Sequence, residues 1–214
     1  KSSLEALKVE IDEITKTMLD LANTEYNDNY IFGGTNTKIL PYEQAENGDI
    51  IYNGTPYDNK DYIRQTEVAD GVFEVINTTG DKVFGYYKSA VEPGNGVYTD
   101  ANGKRVIEST DAGTGQKVYK YENGVEYTGD VADLTDGAEE EAVGVMGALR
   151  KLSNSLGTVV EGLEAGDDAM VQEGYAEMNS TLDMFSDSLN TITTEQTKFG
   201  GVYNRMEMST STLA

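Results

Sequence analysis

Carboxylates and tyrosines are the only side chains plentiful enough in this sequence to suggest chemistry. There are 38 aspartates and glutamates and 14 tyrosines, but no cysteine and no histidine. The missing thiol excludes disulfides, thiol nucleophiles and thiolate metal sites. The missing imidazole removes the commonest general base, the commonest transition-metal ligand and the usual pH switch. Ser-His-Asp and Cys-His arrangements cannot be built, and no catalytic, cofactor-binding or metal-ligating residue is assigned. A glycosidase needs two carboxylates about 5–10 Å apart in a sugar-binding cleft, and 38 scattered acids bring some such pair together by chance, so they read as solvated surface. Calcium ligation fares no better: in Asp100-Ala101-Asn102-Gly103 the glycine falls two places early for an EF-hand loop. The tyrosines could stack on sugars or bases, but in a hairpin-rich chain they pack across strands with wet hydroxyls. Gly94-Asn95-Gly96 and Gly113-Thr114-Gly115 lie outside any strand-to-helix context, so they are turns rather than phosphate loops.

The formal net charge of −22 repels phosphate backbones and anionic lipid. Nucleic-acid and membrane partners are therefore not expected. No apolar run approaches the ~20 residues that span a bilayer, and nothing resembles a signal peptide. The sequence opens at Lys1 partway into a helical pattern, which reads as a processed or excised chain.

The elements that position these residues follow from two changes of period. Leu4, Leu7, Ile11, Ile14, Met18 and Leu21 recur at 3, 4, 3, 4, 3, a heptad seam predicting a helix from Ser3 to about Thr24. The pattern returns at Val145, Leu149, Leu152, Leu156, Val159 and Leu163, and Ala165-Gly166-Asp167-Asp168 breaks it, with glycine suited to the helix end and aspartate to the next cap. A second seam then runs Val171, Tyr175, Met178, Leu182, Phe185, Leu189, Ile192, Gln196, Phe199, Tyr203 and Met206. A helix from Asp168 to about Thr212 would be roughly 65 Å long at 1.5 Å per residue. It outreaches its neighbours, so Leu189, Ile192, Gln196, Phe199, Tyr203 and Met206 form a stripe without an obvious intrachain partner. Such a stripe is either core awaiting absent sequence or an assembly surface. Gly144, Gly147, Gly157, Gly162 and Gly174 each cost about 1 kcal/mol against alanine in a helix, so these helices depend on their partners.

Between about Asp49 and Tyr127 short β-prone runs replace the heptads: Ile50–Tyr52, Tyr62–Arg64, Val72–Ile76, Lys82–Tyr87, Lys104–Ile107 and Lys117–Tyr121. Asn-Gly pairs at 47–48, 53–54, 102–103 and 123–124 supply turns, and the best hairpins are Val97–Ile107 and Lys117–Tyr127. One antiparallel sheet or small sandwich of six to eight strands is expected. The fold class is thus α+β: an elongated, discontinuous antiparallel coiled-coil bundle from 1–46 and 138–214, with a β-hairpin near 30–42, and an inserted antiparallel β domain over 47–137.

Three segments carry a resemblance. Leu21-Ala22-Asn23-Thr24 followed by Asn29-Tyr30-Ile31-Phe32-Gly33-Gly34-Thr35-Asn36-Thr37 and Pro41-Tyr42 is similar to hook-associated protein 3 of bacterial flagella. Tyr62-Ile63-Arg64, Val68, Gly71-Val72, Asn77 and Gly80-Asp81-Lys82-Val83-Phe84 resemble the start of that family's β-rich outer domain. Phe199-Gly200-Gly201-Val202-Tyr203-Asn204-Arg205-Met206-Glu207 is similar to a segment shared with flagellins, in which Asn204 and Arg205 are the marked pair. The resemblance covers both helical ends and the entry to the insert. It implies a structural, non-enzymatic subunit of the extracellular hook-filament junction, exported by a type III route. The partners it implies are further copies in a ring, hook-associated protein 1, flagellin and an export chaperone. A bulk filament subunit and an acidic extracellular adhesin or carbohydrate-binding module are the alternative readings.

Overall fold

The computed structural model describes residues 2–60, 63–122 and 124–212. Two compact units divide the chain: Lys1–Tyr87 with Ala142–Ala214, and Lys88–Glu141. The first holds the helices. Helix α1 spans Ser2–Ala22, a one-turn helix α2 spans Gly80–Val83, α3 spans Gly144–Ala165 and α4 spans Asp168–Thr212. The α3–α4 break forms as its residues dictate: Gly166 adopts a left-handed φ of 71°, and Asp167 Oδ1 accepts from the amides of Ala169 and Met170 at 3.0 and 3.1 Å.

Helix α3 lies between α1 and α4 and runs antiparallel to both. Ser153 donates to Asp12 at 2.6 Å, and Met146 shares a core with Leu19 and Ala22, so α1 and α3 pair end to start. On the other flank Gly162 faces Val171, and Gly174 faces Ser155 and Val159. Helices α1 and α4 are therefore parallel. Ile11, Leu149 and Leu156 form the middle of this layer, with Leu4, Met18, Leu152, Met178 and Phe185 packed on them.

Beside the end of α1 the same unit carries strands. β1 (Glu25–Tyr26) and β2 (Asn29–Tyr30) make a minimal hairpin whose turn residues Asn27 and Asp28 both have positive φ. β3 (Tyr42–Gln44), β4 (Ile50–Tyr52), β7 (Tyr86–Lys88) and β12 (Glu141–Val143) form a sheet in the order β12-β7-β4-β3. β5 (Gln65–Ala69) and β6 (Val72–Val75) pair separately. The second unit contains β8 (Val97–Thr99), β9 (Arg105–Thr110), β10 (Lys117–Tyr121) and β11 (Thr135–Asp136), in the order β10-β9-β8-β11.

Several expectations are corrected by this arrangement. The β content forms four small sheets among the described residues rather than one sheet or sandwich of six to eight strands. Residues 47–87, expected in the outer domain, fall in the helical unit because Ile50, Phe84 and Tyr87 bury themselves against Leu19, Ala22 and Met146. The hairpin expected near 30–42 divides into two, at Glu25–Tyr30 and Tyr42–Tyr52. Lys82–Tyr87 is not one strand. Gly80 starts a helical turn closed by Phe84 N–H to Gly80 O at 2.7 Å, and Gly85, at φ 75°, redirects the chain into β7. The hairpin of Val97–Ile107 forms, with Val97 opposite Ile107. Tyr62 and Asn123, named in two other expected elements, lie outside the described residues.

Glycine positions separate packing from propensity. A Cβ on Gly174 would stand 2.6 Å from Val159 Cγ2 and 3.0 Å from the Ser155 carbonyl, whereas one on Gly200 meets nothing within 4 Å. Gly174→Ala should therefore destabilise by about 1–3 kcal/mol through overpacking. Gly200→Ala should stabilise by about 0.5–1 kcal/mol through helix propensity alone. Urea unfolding of both variants checks this; equal shifts of the same sign would contradict the close α3–α4 approach.

Candidate functional site

Two helical faces stand out because their apolar residues are not where packing would bury them. On α4, the column that faces inward is Gly174, Thr181, Ser188, Glu195 and Val202, seven residues apart and mostly polar or small. Val171, Met178, Phe185, Ile192 and Phe199 beside it are half-buried. Tyr175, Leu182, Leu189, Gln196 and Tyr203 form the next column and are exposed, with Leu182 and Leu189 at 65% and Tyr203 at 66%. The buried hydroxyls tolerate this because they bond back onto their own helix: Thr181 donates to Met178 O at 2.7 Å and Ser188 to Met184 O at 2.6 Å. Helix α1 repeats the scheme. Ile11, Thr15 and Ala22 are buried, Leu4 and Met18 half-buried, and Leu7, Ile14 and Leu21 exposed.

The two exposed columns open on one side. A helix turns about 100° per residue, which puts Leu7, Ile14 and Leu21 about 50° to one side of the Leu4–Ile11–Met18 column. Leu182 and Leu189 lie about 50° to the opposite side of Met178–Phe185–Ile192. Since α1 and α4 are parallel with α3 between them, opposite rotations converge on the same face of the layer. The result is an apolar trough along α1 and the start of α4, which Leu189 and Tyr203 continue past α3. Of the expected assembly stripe, Leu189, Gln196, Tyr203 and Met206 are exposed, while Ile192 and Phe199 turn toward the protein.

The signature residues do something different: they tie the end of α1 to the strands. The Asn23 side-chain amide pairs with the Tyr42 backbone in both directions, Nδ2 donating to Tyr42 O at 2.9 Å and Oδ1 accepting from Tyr42 N at 2.8 Å. Phe32 packs edge-on against Phe84 at 4.8 Å, and its carbonyl accepts from Tyr52 Oη at 2.8 Å and Gly80 N at 2.9 Å. The Gly33 carbonyl accepts from Asn36 N and Thr55 N, both at 3.1 Å. Gly34 has φ 67° and abuts Thr55, while Thr35 and Thr55 share a hydroxyl hydrogen bond at 2.8 Å. Tyr30 N donates to Thr37 O at 2.9 Å. Tyr42 adds a bond from its hydroxyl to Gly85 O at 2.8 Å, and desolvation raises its phenol well above the ordinary range. The Tyr52 phenol is raised too, chiefly by burial.

Two ion pairs fasten α4, one to α2 and one to β6. Lys82 Nζ meets Glu195 at 2.7 Å and lies 4.0 Å above the Tyr57 ring. Burial pushes the Glu195 carboxyl up, but the hydrogen bond from Lys82 and the charges of Lys198 and Lys82 outweigh it, leaving the group below its ordinary value. Arg205 grips Glu74 on β6 bidentately, through Nε and Nη2 at 2.6 and 2.9 Å. Asn204 is exposed beside it. Lys82, Glu195, Tyr42 and Tyr52 were not expected as site residues. The small-residue repeat Gly174–Thr181–Ser188 was the signal that the column ending at Glu195 faces inward.

Other chemistry-bearing groups pair among themselves. In the second unit Glu108 accepts from Tyr98, Tyr119 and Lys117 at 3.1, 2.9 and 3.0 Å, and Asp100 accepts from Tyr121 at 3.0 Å. The Lys117 ammonium and these hydroxyls hold the Glu108 carboxyl below its usual range. Two open grooves in the first unit are lined by Lys82, Gly144, Met184, Asp187 and Thr191, and by Tyr26, Tyr30, Arg64, Ile76 and Phe199. Each offers at most one carboxylate. Among the described residues no three acids gather as a metal site, and no helix is long and apolar enough to cross a membrane.

No protein-family model and no curated protein sequence matches this chain. Solved structures that share its fold include flagellar hook-associated protein 3 of Legionella pneumophila, at a TM-score of 0.58 and 16% identity, over 99% of this chain and 77% of that one. The flagellar junction protein FlgL of the same organism aligns at a TM-score of 0.55 and 16% identity, over 98% and 76%. The mixed fold with antiparallel sheets is thus that of flagellar junction proteins.

Asn23→Ala leaves the Tyr42 amide and carbonyl unpaired and should destabilise by about 1–3 kcal/mol; a shift under about 0.5 kcal/mol in urea unfolding would show that water replaces the amide. The Glu195 carboxyl, being depressed in the folded state, adds stability in full above the ordinary glutamate range and loses it as pH falls through the depressed value. Wild-type stability should therefore drop between about pH 5 and pH 3 by more than that of Glu195→Gln. Parallel pH dependences in the two proteins would remove Glu195 from the acid response.

Proposed function

We propose that this chain is a structural subunit of the bacterial flagellum, acting at the hook-filament junction outside the cell. The observation that carries the reading is the apolar trough along α1 and α4, on a fold shared with flagellar junction proteins over nearly its whole length. An apolar stripe of this length on a chain of net charge −22 is a specific contact surface, because unselective association is opposed by charge. Heterologous contacts along such a stripe build rings and helical assemblies. Leu189, Gln196, Tyr203 and Met206 would contribute on the α4 side, against further copies, hook-associated protein 1 or flagellin. The signature residues Asn23, Tyr30, Phe32, Gly33, Gly34, Thr35 and Asn36 would serve by holding the helix end rigid. Arg205 would do the same for the far end of α4. The lack of His and Cys fits a subunit that works by packing rather than by turnover.

The test is genetic and structural together. Deleting the gene should leave cells that assemble hooks but shed their filaments. A triple variant Leu182→Asp, Leu189→Asp, Tyr203→Asp should fold with unchanged circular dichroism yet fail to restore attached filaments. Filaments that remain attached without the gene would overturn the junction role, and thousands of copies along each filament would mark a bulk filament subunit instead. Full rescue by the triple variant would overturn the trough as the assembly surface.

A further inference from the structure

The Asn-Gly pairs serve as turns, but they also hold the elements of a spontaneous reaction. The backbone nitrogen of the glycine can attack the side-chain Cγ of the preceding asparagine. A new C–N bond closes a five-membered succinimide, the Cγ–Nδ2 bond breaks and the nitrogen leaves as ammonia. Water then opens either carbonyl of the ring, giving aspartate or, with one extra methylene in the main chain, isoaspartate. No oxidant, cofactor or enzyme is needed. The attacking nitrogen must lose its proton and swing toward Cγ, so a glycine N–H already donated to a carbonyl is held back.

The structure sorts the pairs on that criterion. Gly48 donates to Ala45 O at 2.9 Å, and Asn47 Oδ1 is engaged by Asp49 N at 3.1 Å. Gly103 donates to Asp100 O at 2.9 Å, and Asn102 is fixed by its own amide to Asp100 Oδ1 at 2.8 Å. Gly124 donates to Tyr121 O at 2.8 Å. Among the described residues, the amides of Gly54 and Gly96 donate to no such carbonyl. Asn53 is held through its main chain, by N–H to Pro41 O at 2.7 Å, and among the described residues its side chain has no hydrogen-bond partner. Asn95 is exposed, with Nδ2 donating to Glu92 O at 3.0 Å, which leaves its carbonyl free to accept attack.

We propose that Asn53 and Asn95 are self-modifying sites, converted to aspartate and isoaspartate in the folded chain while Asn47 and Asn102 are protected. The two conversions differ in consequence. Asn53 lies between the Pro41 anchor and Thr55, whose amide and hydroxyl bind Gly33 O and Thr35. An added methylene there lengthens the chain inside the cross-linked segment that holds the end of α1. Asn95 stands in an exposed turn of the other unit, where the same change disturbs little.

The experiment is to incubate the full chain at mildly alkaline pH, then map peptides by mass spectrometry and label isoaspartate with its repair methyltransferase. Conversion at Asn53 and Asn95 should exceed that at Asn47 and Asn102 by about tenfold, the factor one amide hydrogen bond provides. The difference should vanish in urea, where every pair is equally open. Among aged molecules, those modified at Asn53 should unfold at lower urea than those modified only at Asn95. Conversion of Asn47 or Asn102 as fast as Asn53 in the folded chain would overturn the proposal, as would rates in urea that keep the folded ranking.

Discussion

The close approach of α3 to α4 is the constraint from which the rest of the helical unit follows. Gly162 and Gly174 sit where a methyl group would enter Val171 or Val159, so the two helices touch through backbone and small side chains. Heptad geometry then assigns the Gly174–Thr181–Ser188 part of the inward column to that interface, and its continuation through Glu195 reaches α2 instead. Large residues in the adjoining column have no room on that side. Tyr175 and Leu182 are thus exposed because the interface was given to small residues, not because the helix lacks an apolar face. The hydroxyls that enter the interface are neutralised by their own helix, so burying them costs little.

This arrangement places unusual demands on the far half of α4. Past Ser188 the helix has left α3 behind, and two ion pairs hold it: Lys82–Glu195 to α2 and Arg205–Glu74 to β6. Exposed ion pairs contribute little, typically under about 1 kcal/mol. The Arg205 fork is half exposed and serves mainly to fix orientation. Lys82–Glu195 is different, since the carboxylate is only 5% exposed and an unpaired charge there would be strongly destabilising. Direction along α4 is therefore set by packing near its start and by charge pairing near its middle.

Much of this was legible in the sequence, and the limits are physical. The three helices, the Gly166–Asp167 break and the Val97–Ile107 hairpin follow from periodicity and turn chemistry, which act locally. Which column of each helix faces inward was not legible from hydrophobicity. A heptad seam assumes that the largest residues are buried, and here interhelical distance overrode that preference. The membership of residues 47–87 in the helical unit is hidden for a related reason. β-propensity marks Ile50–Tyr52 and Tyr86–Tyr87 as strands but not which core they join, and that core is built from Leu19, Ala22 and Met146, more than twenty residues away in sequence.

The signature segment shows why a short motif could be recognised where longer patterns were ambiguous. Its residues are constrained one by one. Asn23 must present an acceptor and a donor to one backbone position from two separate atoms, which an amide does and a single hydroxyl does not. Gly34 must hold φ 67° against Thr55, and Gly80 must leave room for the rings of Tyr42 and Tyr52. Tyr42 and Tyr52 must end in hydroxyls that reach the Gly85 and Phe32 carbonyls. No other residue type meets these requirements, whereas any large apolar side chain can fill a heptad position. Identity is thus concentrated in the segment that holds the end of α1, and the trough beside it is specified only as a surface of a given width and polarity. A rigid end with a permissive face is the arrangement expected of a subunit whose orientation must be fixed while its contacts are spread along a helix.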